Sequence, residues 1–261
     1  MAGVIILKRL FTVVAYGLIM FYLMTSLFVF ADEVYEGIPC ISVSDSVETI
    51  AKVPLIGATS AIVIDAKTGR ILYEKDAFSR RSIASTTKIM TAILALENGK
   101  LDDTVVISKR AAGVWGSTIY LVEGEKLTLK ELLYGLMLNS GNDAAIAIAE
   151  HISGSVEEFI EMMNKKAIEL GAKDTNYKSP HGLDFSDQYS TAYDLALITK
   201  YALKNSTFKE IVSTKTTTIS RRSLYNTNEM LGLYLGADGV KTGYTGQAGR
   251  CLVTSVTRGA I

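Results

Sequence analysis

The chain has 261 residues, 48% of them apolar, which is enough to bury one sizeable core or two small ones. Its 27 basic and 27 acidic residues cancel, so there is no electrostatic footprint for nucleic acid. Two cysteines, Cys40 and Cys251, and two histidines are too few for a disulfide framework or a metal site, and no cofactor is expected.

Lys8 and Arg9 precede an uncharged, apolar run over 10–30, followed by Ala31, Asp32 and Glu33. The run suits both a signal-peptide core and a membrane span, and either reading retains the basic end inside the cell. Residues 1–31 are therefore expected to be a signal peptide or N-terminal anchor. Val29 and Ala31 favour cleavage after Ala31, which places the rest of the chain on the extracytoplasmic side. Residues 32–57 read as a linker punctuated by Gly37, Pro39, Pro54 and Gly57, and residues 58–261 as the folded domain.

Two β-rich runs, 59–65 and 70–74, flank a hairpin turn with Gly69. A helix is predicted to start at or just before Ser85: Ile89, Ile93 and Leu96 recur at helical spacing, and Asn98-Gly99 supplies the stop. Helical patterns return over 128–138, 144–152, 156–170 and 191–204. Strand-like sequence resumes at 215–220, 240–245 and 251–257. Early strands, a helical middle and late strands predict an α+β fold, an antiparallel sheet flanked by helices with a helical subdomain.

Three strings carry chemistry: Ser85-Thr86-Thr87-Lys88, Ser140-Gly141-Asn142 and Lys241-Thr242-Gly243. A serine hydroxyl needs a base, and a lysine three residues along a helix shares its face. Lys88 must be neutral to serve, which burial or a neighbouring cation such as Lys241 would achieve. Ser85 at a helix N-terminus also gains backbone N–H groups and a dipole suited to an oxyanion. Ser206-Thr207-Phe208-Lys209 and Lys67-Thr68-Gly69 match the same patterns, but at a ragged helix end and in a hairpin turn. Ser140-Gly141-Asn142 falls between two helices, where its side chains can face a cleft. Trp115 and Tyr120 flank Gly116-Ser117-Thr118 and suit either a cleft rim or ordinary packing. His181 reads as a loop-ordering residue, and Met90, Met137, Met162, Met163 and Cys251 as core.

Wider blocks surround these strings: 83–92, 139–144, Ser179-Pro180-His181-Gly182-Leu183, Tyr189-Ser190-Thr191-Ala192 and 240–245. Over about residues 58 to 258 the chain resembles the penicillin-recognising serine enzymes, and among them the low-molecular-mass D-alanyl-D-alanine carboxypeptidases. The resemblance implies removal of the terminal D-alanine from peptidoglycan stem peptides ending in D-Ala-D-Ala, through an acyl-enzyme on Ser85, with β-lactams as inhibitors. By the same resemblance Lys88 is the acylation base, Ser140 relays a proton to the leaving nitrogen, and Asn142 binds the substrate amide. Lys241 and Thr242 would hold the terminal carboxylate, Gly243 would let substrate lie along the strand, and the amides of Ser85 and Tyr244 would form the oxyanion hole.

A serine β-lactamase is the less favoured relative, since Gly141 replaces the aspartate of class A enzymes and no Glu-x-x-Leu-Asn string occurs. The resemblance also implies a last strand between the first strand and the strand after Lys241-Thr242-Gly243. The chain stops at Ile261, so that strand is expected to be missing, leaving a C-terminally truncated domain. A truncated, non-catalytic penicillin-binding remnant is the alternative from another class.

Overall fold

The computed structural model describes residues 2–6 and 53–259, and everything structural below concerns those residues. In chain order the elements are β1 (Ala2–Ile6), β2 (Ala61–Asp65), β3 (Ile71–Lys75), a 3-10 turn (Ala84–Thr87), α1 (Lys88–Asn98), β4 (Thr104–Val106) and α2 (Lys109–Ala112). Next come β5 (Lys126–Thr128), α3 (Leu129–Leu138), α4 (Asn142–Ser153), α5 (Val156–Glu169), α6 (Ala192–Ala202) and α7 (Ser206–Ser213). The chain closes with β6 (Thr216–Ile219), β7 (Arg222–Tyr225), α8 (Met230–Leu233), β8 (Ala237–Thr245) and β9 (Gly249–Thr257).

One antiparallel sheet has the order β3-β2-β1-β9-β8, and β4-β5 and β6-β7 form two small hairpin sheets. Helix α1 is buried on nearly every side, from Lys88 to Ala95, as its almost continuous apolar sequence requires. It packs on α6 toward the sheet and on α3 and α4 of the helical subdomain. Leu132, Leu133, Leu136, Ala145, Ile148 and Phe159 fill the subdomain's core. Helix starts are fixed by local side chains: Thr128 and Glu131 form a reciprocal capping box on α3, and Ser155, Thr191 and Asn205 cap α5, α6 and α7. Each such cap stabilises its helix by about 1 kcal/mol.

The α+β reading and the order of the main elements match the structure. The expectation of an unfilled position beside the first strand is corrected: Ala2–Ile6 pairs antiparallel with β2, Val4 opposite Ile64, and with β9, Val4 opposite Ser255. Two facing rows of backbone N–H and C=O groups, on β2 and β9, are thereby paired, which is what a central gap would have left unsatisfied. The apolar run over 10–30 and residues 32–52 lie outside the described residues. Residues 53–57 carry no regular structure.

Besides β1, six elements lack a readable signature, and α2 and α8 are four-residue helices too short for a period of 3.6 to register. Strands β4, β5 and β7 are three or four residues long, too short for a period of two to register, and α7 reads as the frayed end of α6 until Asn205 caps it separately. Met90, Met137, Met163 and Cys251 are buried as anticipated, while Met162 is only partly covered.

Candidate active site

The backbone of Ser85 is shaped before its side chain is placed. Ser85 lies in the 3-10 turn ahead of α1, not in the α-helix itself, and Ala84 before it holds φ +48. A left-handed alanine costs about 1 kcal/mol, so it persists only where its surroundings impose it. Gly182, at φ +89, presses on it from one side, where a Cβ would stand 2.0 Å from the Ala84 carbonyl oxygen. Gly243 of β8 presses from the other, where a Cβ would stand 2.9 Å from the Ser85 nitrogen. Both glycines are therefore close approaches of one backbone to another.

Lys88 is fully buried, and its Nζ has three neighbours: Ser85 Oγ at 3.0 Å, Asn142 Oδ1 at 2.8 Å and the His181 carbonyl oxygen at 2.6 Å. Burial, reinforced by the Lys241 charge and opposed by Asp143, pushes its pKa well below the usual lysine range. A neutral amine has two N–H groups and one lone pair. The His181 carbonyl and Asn142 Oδ1 can only accept, so they take the two N–H groups. The lone pair is left facing the one neighbour that has a proton to give, the Ser85 hydroxyl.

Asn142 opens α4, and its amide is fixed at both ends, because Nδ2 donates to the Trp115 carbonyl at 2.8 Å. Ser140, two residues earlier, takes φ +61 and is buried, and its Oγ has no hydrogen-bond partner among the described residues. Its position beside Asn142, and not the missing partner alone, is what makes this hydroxyl available to the site.

Lys241 is buried on β8, and Nζ donates to the Thr242 carbonyl at 2.9 Å; burial lowers its pKa to about 7. The Thr242 hydroxyl lies 2.6 Å from that of Thr227. Tyr244 leaves its ring exposed beyond Gly243. The eight residues singled out from sequence thus sit on three adjoining pieces: the 3-10 turn with α1, the start of α4, and β8.

His181 does what a loop-ordering residue should. Its Nδ1 accepts from the Leu183 amide at 3.2 Å and its carbonyl holds Lys88. Burial above all, with any positive charge at Lys88 or Arg110 adding to it, lowers its pKa to about 3, so the ring is neutral. Trp115 and Tyr120 are 73% and 83% exposed, which settles their two readings for a rim and against packing. The decoys go elsewhere: Lys67-Thr68-Gly69 is the β2–β3 turn, tied by Asp65, and Ser206 begins α7.

Sequence reasoning passed over Thr227, the Trp115 carbonyl and Asp143. Backbone carbonyls leave no trace in side-chain motifs, and Thr227 follows a strand too short to recognise. Asp143 had one readable signal, an acidic side chain in the first turn of a helix immediately after Asn142.

Residues 47–261 match the family model described as D-alanyl-D-alanine carboxypeptidase. The chain belongs to that family. It is 46% identical over 212 residues to D-alanyl-D-alanine carboxypeptidase DacF of Bacillus subtilis, an alignment covering 77% of this chain and 54% of that relative. It is 43% identical over 228 residues to a D-alanyl-D-alanine carboxypeptidase of Streptomyces, covering 79% and 78%. The crystal structure of the Streptomyces K15 DD-transpeptidase superposes with a TM-score of 0.76 at 40% identity, covering 79% of this chain and 87% of that one. D-alanyl-D-alanine carboxypeptidase DacD of Francisella tularensis gives 0.74 at 30% identity, covering 79% and 64%. This carboxypeptidase-family chain spans about half the length of several of the curated relatives it matches.

Proposed function

We propose that this protein is a serine-type D-Ala-D-Ala carboxypeptidase acting on peptidoglycan stem peptides, with Ser85 as nucleophile and Lys88 as its base. The observation that carries the reading is Lys88 itself, fully buried, pushed toward its neutral form, and 3.0 Å from Ser85 Oγ. Ser85 Oγ attacks the carbonyl carbon of the penultimate D-alanine while its proton passes to Lys88. The oxyanion would be met by the amides of Ser85 and Tyr244, a reading supported by the close passage of Gly243, the residue before Tyr244, at the Ser85 nitrogen. The carbon–nitrogen bond then breaks, the leaving D-alanine takes a proton through Ser140, and water hydrolyses the ester on Ser85. Asn142 positions the substrate amide, and Lys241 and Thr242 bind the terminal carboxylate. A buried cation is an apt partner for that anion because little water competes for either.

A β-lactam presents the same carboxylate and a strained amide, so it should acylate Ser85. The substrate lies outside the cytoplasm, so the folded domain is expected to act there. Incubation with fluorescent penicillin is expected to label the protein at one site, and Ser85→Ala to abolish the label. Label that survives the Ser85 change removes Ser85 as nucleophile, and no label on the unaltered chain favours a non-catalytic remnant.

A further inference from the structure

Asp143 is buried beside Asn142, and the reaction above gives it no task. Its carboxylate nevertheless accepts from the Ile119 amide at 2.9 Å, the Leu121 amide at 3.1 Å and its own neighbour's amide, Ala144, at 2.9 Å. The two loop amides bracket Tyr120, which is held at φ +59, a left-handed conformation that an aromatic residue rarely adopts. The same loop supplies the Trp115 carbonyl to Asn142 Nδ2 and the Ser117 carbonyl to the Asn142 amide, the latter at 2.7 Å. Two glycines make room for the arrangement. A Cβ on Gly116 would stand 2.7 Å from Asn142 Nδ2, and one on Gly141 would stand 2.8 Å from Asp143 Oδ1.

We propose that Asp143 is a positioning residue, whose carboxylate clamps loop 115–121 so that the Asn142 side chain keeps its oxygen, and not its nitrogen, toward Lys88. The chemical reason lies in the inventory of Lys88. If the Trp115 carbonyl withdraws, the Asn142 amide is free to turn over, and Nδ2 then offers an N–H to the lysine nitrogen. The lone pair that must take the Ser85 proton would be occupied by that donor. Asp143 thus acts on the base through two intermediaries, a loop and an amide. The glycine at the centre of Ser140-Gly141-Asn142 is part of the same device, because any larger residue meets the clamping carboxylate. The inference rests on Lys88 being the base for Ser85.

Asp143→Asn and Gly141→Ala in the full chain test it with two readouts. Hydrogen–deuterium exchange at Ile119 and Leu121 reads the clamp without requiring activity. In Asp143→Asn, exchange there should quicken by about 10- to 100-fold, the loss of hydrogen bonds to a charged acceptor, with α5 and α6 unchanged. The rate constant for acylation by fluorescent penicillin, followed from pH 4 to 9, reads the base. Its plateau should fall by roughly 10- to 100-fold in both variants, as for a reacting group misplaced by about an ångström. Lys88 is faced by Ser85, Asn142 and Asp143, by Lys241 from β8 and by neutral His181. Removing the Asp143 charge should therefore shift the acidic limb to lower pH in Asp143→Asn only. Gly141→Ala retains the charge and should leave the limb in place, a split that general destabilisation would not produce. Unaltered exchange in Asp143→Asn overturns the clamp, and a freed loop with acylation within twofold of wild type overturns the positioning role. Wild type that fails to label at all refutes the serine–lysine reading first, and the role assigned to Asn142 with it.

Discussion

His181 makes a pH-dependent contribution to stability whose sign and size follow from its surroundings. The residue is 6% exposed and accepts from the Leu183 amide, and burial above all, with any positive charge at Lys88 or Arg110 adding to it, holds its pKa near 3 against an ordinary 6.5. In the unfolded chain the imidazole gains a proton as pH falls through about 6.5, while the folded ring stays neutral until about 3. The unfolded state therefore binds more protons across that window, so stability drops as pH falls and levels off below about 3. At pH 5 this one group should cost about 2 kcal/mol relative to pH 8. His181→Asn gives a clean comparison, because the asparagine oxygen can still accept from Leu183 but does not titrate. Urea unfolding of both proteins at pH 8 and pH 5 gives a double difference in which the wild type should lose about 2 kcal/mol more than the variant. Parallel losses in the two proteins would refute the reasoning, since they would mean that His181 protonates equally easily folded and unfolded.

Two further outcomes are expected. Gly182→Ala must place a Cβ 2.0 Å from the Ala84 oxygen in a backbone at φ +89, so it should destabilise by at least about 3 kcal/mol, a fall in Tm of roughly 6–12 °C by circular dichroism. A drop under 2 °C would mean that the two backbones do not meet. Lys241, with its pKa near 7, is mostly neutral at pH 8, so binding a peptide ending in D-Ala-D-Ala to Ser85→Ala should draw in close to one proton. Calorimetry in buffers of different ionisation enthalpy should detect that uptake, and adding Lys241→Met should remove it.

The strings that could be read as chemistry in the sequence were those whose spacing is local. Ser85 and Lys88 are one turn apart on any helix, and Asn98-Gly99 ends α1 at the expected residue. What escaped notice depends on the tertiary fold. No spacing rule brings the His181 carbonyl to Lys88 or the Trp115 carbonyl to Asn142, because each joins elements through a loop whose path is set by packing. The left-handed Ala84, Ser140 and Tyr120 were equally invisible, since none is a residue type that favours φ > 0. All three touch the site or its rim, as expected where function and not local preference decides the backbone. The central strand was misjudged for a different reason. Residues 2–6 fall inside the segment 1–31 expected to be a signal peptide or anchor, and pairing between segments so distant in sequence has no local mark.

The two buried lysines should be read as a pair and not as two residues with separate roles. Burial opposes a charge on each, and a charge on either opposes one on the other, so near neutral pH the pair holds at most one proton at low cost. Both are pushed down, Lys88 well below the usual lysine range and Lys241 to about 7, with burial the leading cause for each. Whichever of the two holds that proton, the other is kept a free amine. Under the proposed function, a substrate carboxylate at Lys241 would hold the proton there and leave Lys88 the free amine that faces Ser85.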